Sequence, residues 1–179
     1  MKKALLWIGI GLVSFIVIIF IWGSLLPEKY NAQITVALKS SPEQVWAAVA
    51  DFEKNPMSGA MREKTNKLPD ENGLPVWVED MGETALTIRT VAAHAPMHVK
   101  RTVADRVVPM TATWEITIEP ADGGSRVTAT NETIIRNGTW HVPLFRLILK
   151  YGSGADVGLR DYWAAVGRSL GETPQISGK

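Results

Sequence analysis

From Ala4 to Leu26 the chain runs for 23 residues without a charged side chain. As a helix rising about 1.5 Å per residue, this stretch would reach roughly 34 Å, enough to cross a hydrocarbon layer of about 30 Å. Trp7 and Trp22 lie near its two ends, where amphipathic rings favour the headgroup level. Pro27 closes the helix. The run is longer than the h-region of a cleaved signal peptide, about 7–15 residues, and Trp22-Gly23-Ser24-Leu25-Leu26-Pro27 offers no small-x-small cleavage site. The pattern therefore predicts an uncleaved, single-pass anchor. Lys2 and Lys3 bias the N-terminus to the inside and the rest of the chain to the extracytoplasmic side.

Beyond Pro27 the periodicity changes. Ile34, Val36 and Leu38 alternate with polar or small residues, which predicts a strand over 31–38. Ser41-Pro42-Glu43-Gln44 then supplies a cap, a proline suited to the first helical position and the glutamine of a capping box. Val45, Trp46, Val49 and Phe52 follow at helical spacing, and Pro56 limits the helix to about 51–55. Further strands are predicted at 61–68, 76–81, 84–93, 97–104, 111–119 and 126–136. Asn72-Gly73, Gly82-Glu83, His94-Ala95-Pro96 and Ala121-Asp122-Gly123-Gly124 separate them. Such short connections imply an antiparallel meander. Pro143 begins a helix with Leu144, Leu147, Ile148 and Tyr151 on one stripe. Gly152-Ser153-Gly154 interrupts it, leaving the first helix free to act as a movable lid. A second helix over 155–170 carries Leu159, Tyr162, Trp163, Val166 and Leu170 on one face.

These elements describe an α+β helix-grip fold. A seven-stranded curved antiparallel sheet wraps around a C-terminal helix, and a transmembrane helix precedes it. The corresponding organisation is an anchor over 1–27, a helix-grip domain over 28–172 and a flexible tail over 173–179. A curved sheet that grips its helix loosely leaves room for an apolar pocket between them.

Composition narrows the function. The chain has 179 residues and no cysteine, which excludes disulfides, thiolate metal sites and thiol nucleophiles. Setting Lys2 and Lys3 aside leaves 17 basic and 18 acidic residues, so nothing electrostatic points to nucleic acid as a partner. His94, His98 and His141 are the only histidines, and Pro96 between the first two rules out a helical pair of ligands, so no metal site is expected. No cofactor motif of the P-loop, GxGxxG, GxSxG or HExxH kind is present.

Several strings resemble the START / polyketide cyclase / birch-pollen-allergen-like (SRPBCC) superfamily. Ser41-Pro42-Glu43-Gln44-Val45-Trp46 is similar to the family's APxxVW entry to the first helix, and Asp51-Phe52 to the DF that follows. Gly123-Gly124-Ser125-Arg126-Val127-Thr128 resembles its GGTRVT hairpin. Pro143-Leu144-Phe145-Arg146 and Tyr162-Trp163-Ala164-Ala165-Val166 resemble its terminal helices. Leu25-Leu26-Pro27 and Leu68-Pro69 through Gly73-Leu74-Pro75-Val76-Trp77 look like a bacterial subgroup that carries one N-terminal membrane helix. One departure stands out: many relatives place a tryptophan after the DF helix, where this chain has Met57-Ser58, which implies a different pocket entrance. The resemblance implies a helix-grip fold and binding of lipids, sterols or polyketides, with cyclisation or dehydration in some members.

Strand alternation places Leu86, Ile88, Thr90, Val99, Arg101, Val103, Ala112, Trp114, Ile116, Val127, Ala129, Asn131 and Thr133 on the face toward the helix. A register slip of one residue would turn Arg101 to solvent instead. Arg101 facing inward needs a partner, and Glu79, on one face with Trp77 and Met81, is the candidate. Alternatively, Glu79, Asp80 and Glu83 form a charged hairpin tip. The expected ligand-binding set is Trp77, Glu79, Ile88, Thr90, Val99, Arg101, Trp114, Asn131, Thr133 and Tyr162. The expected function is a membrane-anchored domain holding a hydrophobic small molecule, lipid or isoprenoid-like. The alternatives are a cyclase/dehydratase-like enzyme and a non-catalytic protein-interaction domain. No convergent catalytic set emerges, which favours binding over catalysis.

Overall fold

The computed structural model describes residues 2–152, 154 and 156–178. Helix α1, Lys2–Leu25, contains a span from Trp7 to Leu25 with a mean hydropathy of 2.5, long and apolar enough to cross a membrane. Strand β1, Lys29–Leu38, buries alternate residues from Tyr30 to Leu38, as its pattern requires. Helix α2, Pro42–Ala50, begins with the full capping box. The Gln44 amide donates to Ser41 Oγ and the Ser41 amide donates to Gln44 Oε1, so two orphan N–H groups of the helix start are satisfied locally.

Six strands then pair in sequence: β2 (Lys64–Glu71), β3 (Leu74–Asp80), β4 (Ala85–His94), β5 (His98–Asp105), β6 (Met110–Ala121) and β7 (Gly124–Ile135). All neighbours are antiparallel. The β2–β3 turn is Asn72-Gly73, both at positive φ (54° and 75°), the geometry a two-residue hairpin demands. Strand β2 starts and ends three residues later than the alternation suggests. A 3₁₀ turn at Gly59–Met61 occupies the expected start, and Pro69 is tolerated because β2 is an edge strand with a register shift between Leu68 and Glu71.

The sheet has eight strands rather than the expected seven, in the order β2-β3-β4-β5-β6-β7-β1-β8. The expected loose tail forms β8, Gln175–Gly178, paired with β1. Without it, the outer edge of β1 would present unpaired N–H and C=O groups. Pro174 passes so close to Gly167 that a Cβ on Gly167 would overlap the proline ring. The Glu172 carboxylate accepts hydrogen bonds from the Lys39 and Ser40 amides and from Ser40 Oγ, holding this return to the β1–α2 turn.

Helix α3, Val142–Tyr151, and helix α4, Val157–Ser169, complete the chain. Ser153, in the expected interruption between them, and Ala155, the expected first residue of the last helix, lie outside the described residues. Helix α4 buries Leu159, Tyr162, Trp163 and Val166 against the concave face of the sheet, in one core with Val45 and Val49 of α2. Gly158 and Gly167 therefore do not open a gap under α4. Gly158 stands at ordinary contact distance from Trp114, and Gly167 admits the return toward β8.

Candidate binding site

The observed register places the inward-facing residues as the alternation predicts. Thr90, Arg101, Trp114, Asn131 and Ala32 form one continuous cross-strand row over β4, β5, β6, β7 and β1. The adjacent row contains Ile88, Val103, Ala112, Thr133 and Tyr30. Arg101 is 3% exposed, so it faces the interior and not solvent.

The environment of Arg101 differs from expectation. Glu79 is fully buried, but its carboxylate accepts from the Met57 and Ser58 amides, Ser58 Oγ and Trp77 Nε1, all within 2.6–2.9 Å. With four donors converging on it, Glu79 is not the ion-pair partner of Arg101. It is also not part of a charged hairpin tip, since it is fully buried, whereas Asp80 accepts from the Gly82 amide in the β3–β4 turn. Met57-Ser58 supplies three of the four donors to Glu79, two of them backbone amides and one the Ser58 hydroxyl. Arg101 instead donates from Nη2 to the Val49 carbonyl at 2.7 Å, at the C-terminal end of α2. Its guanidinium sits 5.0 Å from the centroid of Trp77, which also stacks with Phe52 at 4.3 Å. A cation over an indole face gains electrostatic stabilisation from the ring quadrupole.

Among the described residues, five buried polar atoms here make no well-aligned hydrogen bond, namely Arg101 Nε and Nη1, Thr90 Oγ1, Tyr162 Oη and Trp163 Nε1, although the Arg101 guanidinium lies close enough to the Tyr162 phenol to interact with it as a hydrogen-bond donor. Native interiors rarely leave such atoms unpaired, because each costs about 1–3 kcal/mol. Thr90 is the cross-strand neighbour of Arg101. Tyr162 and Trp163 come from α4 and meet edge to face at 5.6 Å, and Tyr162 meets Trp114 in the same way. Burial pushes the Tyr162 phenol above its ordinary pKa; the charge of Arg101 and a hydrogen bond from its guanidinium offset part of that rise, and Glu79 adds to it. The phenol is thus kept as an O–H donor. Together these residues make a donor-rich, aromatic-walled interior where α4 covers β4, β5 and β6.

The structure brings together Trp77, Glu79, Thr90, Arg101, Trp114 and Tyr162 of the expected set. Ile88 and Val99 are apolar wall, both buried. Asn131 and Thr133 belong to a second locus: Thr133 Oγ1 donates to Asn131 Oδ1, and Trp114 stands between Asn131 and Arg101 in the row. One strand, β6, separates them, and two strand spacings amount to about 10 Å. Residues beyond the expected set are Phe52, Met57, Ser58, the Val49 carbonyl and Trp163. Trp163 was legible on the buried stripe of α4, but its stranded N–H was not.

The apolar pocket expected between the sheet and α4 is not open: the rings of Trp77, Trp114, Tyr162 and Trp163 pack into that space. Concavities among the described residues open instead on outer surfaces. One of about 610 Å³ lies over the opposite face of the sheet, lined by polar residues including Gln33, Lys100 and Glu115. Glu115 accepts a hydrogen bond from His98 and pairs with Lys100 there, and the His98 bond holds its carboxyl below the ordinary range. His98 also stacks with His94 across the β4–β5 hairpin at 6.0 Å.

No curated protein matches the chain. Among solved structures, a conserved protein from Geobacillus kaustophilus is similar at a TM-score of 0.60 and 15% identity, covering 82% of this chain and 98% of that one. The protein Ara h 8.0201 is similar at 0.54 and 13%, covering 80% and 98%. DynU16, from the dynemicin biosynthetic locus, is similar at 0.52 and 13%, covering 80% of this chain and 47% of its own. At such identities these likenesses establish the fold. A family model described as polyketide cyclase / dehydrase and lipid transport matches residues 29–154, from β1 to just beyond α3. The chain therefore belongs to the polyketide cyclase / dehydrase and lipid transport family, and its helix-grip unit is a ligand-binding domain of that kind.

Proposed function

We propose that this protein is a membrane-tethered binding module that holds a hydrophobic small molecule, lipid or isoprenoid-like, between the sheet and α4. The observation that carries the reading is the set of poorly satisfied polar groups, Arg101 Nε and Nη1, Thr90 Oγ1 and Trp163 Nε1, gathered around the Tyr162 phenol in an aromatic interior. A ligand with an apolar body and one oxygen-bearing end would satisfy Arg101 Nε and Nη1 and Tyr162 Oη while its body packs against Trp114 and Val99. The filled state described above is then the closed form, and loading requires α4 or its rings to move outward. Helix α1 tethers the domain to a bilayer, which raises the local concentration of lipid-derived ligands by geometry alone. The lysines at positions 2 and 3 favour an extracytoplasmic domain.

Catalysis is the weaker reading, because both oxygens of Glu79, the buried carboxylate nearest the site, are engaged by four donors. The filled interior favours a second reading, an interaction domain without ligand, and one experiment separates the two. Full-length protein purified in mild detergent is examined by native mass spectrometry and titrated with the fluorescent fatty acid cis-parinaric acid. The binding reading expects a co-purified hydrophobic adduct, saturable parinarate fluorescence, and at least a tenfold loss of affinity in Arg101→Ala, about 1.4 kcal/mol, with circular dichroism unchanged. No adduct and no saturable binding would leave the interaction reading. Equal affinity in a folded Arg101→Ala would remove Arg101 from the site.

A further inference from the structure

Helix α3 meets α1 in an unusual way. Trp140, just before α3, stacks on Phe20 at a centroid distance of 6.5 Å. Pro143 packs on Gly23 so closely that a Cβ there would overlap the proline backbone. Tyr151, at the far end of α3, meets Trp22 edge to face at 6.0 Å. These contacts cover the whole of α3, yet on α1 they fall between residues 20 and 23. Three residues of helix rise only about 4.5 Å, whereas Pro143 to Tyr151 rises about 12 Å. Two helices lying side by side would spread their contacts evenly along both, so α3 crosses α1 at a steep angle. The crossing lies one turn inside the C-terminal end of α1.

The crossing is locked. Arg146, 1% exposed, donates from Nη1 to the Ser24 and Leu26 carbonyls, which the end of α1 leaves without helical partners. Its Nη2 donates to Glu28 Oε1 and to the Ile135 carbonyl at the end of β7. Tyr30 Oη donates to the carbonyl of Arg146 itself. One guanidinium thus ties α1, α3 and the sheet into a single joint. Beside it α3 leaves Ile148 53% exposed and Phe145 exposed, and Trp140 and Tyr151, whose rings touch α1 on one side only, stay 73% and 61% exposed. This apolar face is continuous with exposed Trp22 and Leu25 of α1.

We propose that α3, together with Trp140, is a second membrane contact: an amphipathic helix lying in the headgroup boundary of the leaflet that α1 leaves. The proposal rests on the reading of α1 as a bilayer span. If α1 stands across the bilayer, a helix crossing it steeply near its end lies in the membrane plane at the depth interfacial helices adopt, roughly 5–10 Å into the boundary. Lys150, exposed on α3, is suited to reach the headgroups. The domain therefore rides on the membrane in a fixed orientation instead of swinging on a free tether.

The chain has no cysteine, so one substitution gives one labelling site. Full-length protein carrying a nitroxide at Ile16→Cys, Ile148→Cys or Asp161→Cys is reconstituted in phosphatidylethanolamine/phosphatidylglycerol vesicles. Spin relaxation by oxygen is compared with that by a water-soluble nickel chelate; Phe145→Cys is the second probe of α3 if Ile148→Cys fails to fold. The proposal expects a several-fold higher oxygen-to-nickel ratio at Ile148 than at Asp161, as burial of roughly 5–10 Å requires. A ratio at Ile148 equal to that at Asp161, with Ile16 in lipid, overturns the interfacial contact and leaves the span standing. A water-like ratio at Ile16 overturns the span, and the interfacial contact with it.

Discussion

Glu79 and Arg101 show how little the identity of a buried charge says about its partner. Both face the interior, and their side chains come from strands two apart in the sheet. Yet Glu79 is taken by the loop after α2, and Arg101 by the Val49 carbonyl and the Trp77 ring. Backbone amides at fixed positions cost no side-chain entropy to hold in place, which gives Met57 and Ser58 an advantage over a long guanidinium. Replacing Glu79 with alanine would strand the Trp77 indole N–H and two buried amides. The expected loss is at least about 3 kcal/mol, since each orphaned donor costs about 1–3 kcal/mol. Urea denaturation measures it, and a loss under about 1 kcal/mol would mean that water replaces the carboxylate.

At the scale of elements, the return to the eighth strand carries a pH-dependent clasp. Burial raises the Glu172 carboxyl, but hydrogen bonds from Ser40 and the Lys39 amide outweigh it, so its pKa is net lowered. A carboxyl lowered on folding binds its proton less tightly in the native state than in the unfolded chain. It stabilises the fold above the ordinary carboxylate range, and that contribution disappears as pH falls through the lowered value. Glu172→Gln should therefore be less stable than the parent chain at neutral pH and equally stable in acid. Chemical denaturation at a series of pH values tests this; a gap that persists in acid would show that the glutamine disturbs packing rather than charge. Helix α2, in contrast, is specified locally by its capping box, so the cap and its helix were readable together.

At the scale of the molecule, the joint at Arg146 decides how the domain stands relative to α1. Arg146→Gln removes donors to Ser24, Leu26, Glu28 and Ile135 at once. Amides around 26–30 should then exchange hydrogen faster in full-length protein in detergent, while those of β4 to β6 remain protected. Lysine should not rescue it, because a single ammonium lacks the planar fork that reaches carbonyls on three elements. Unchanged exchange at 26–30 would show that the packing of Pro143 on Gly23 is enough to hold the joint.

Read alone, the sequence determined what depends on neighbours along the chain: the apolar run of α1, the capped start of α2, the Asn72-Gly73 hairpin and the meander; that Arg101 faces inward and not solvent was left to the register. The local elements follow from periodicity and turn chemistry, which act over a few residues. Only the tertiary structure decided which atoms satisfy Glu79, which donors stay stranded around Arg101 and Tyr162, that Asn131 and Thr133 form a separate locus, and that 175–178 pairs with β1. It alone also folded α3 across the end of α1. Each of these depends on groups separated by many residues whose meeting is set by sheet register and packing, and no local pattern encodes that meeting.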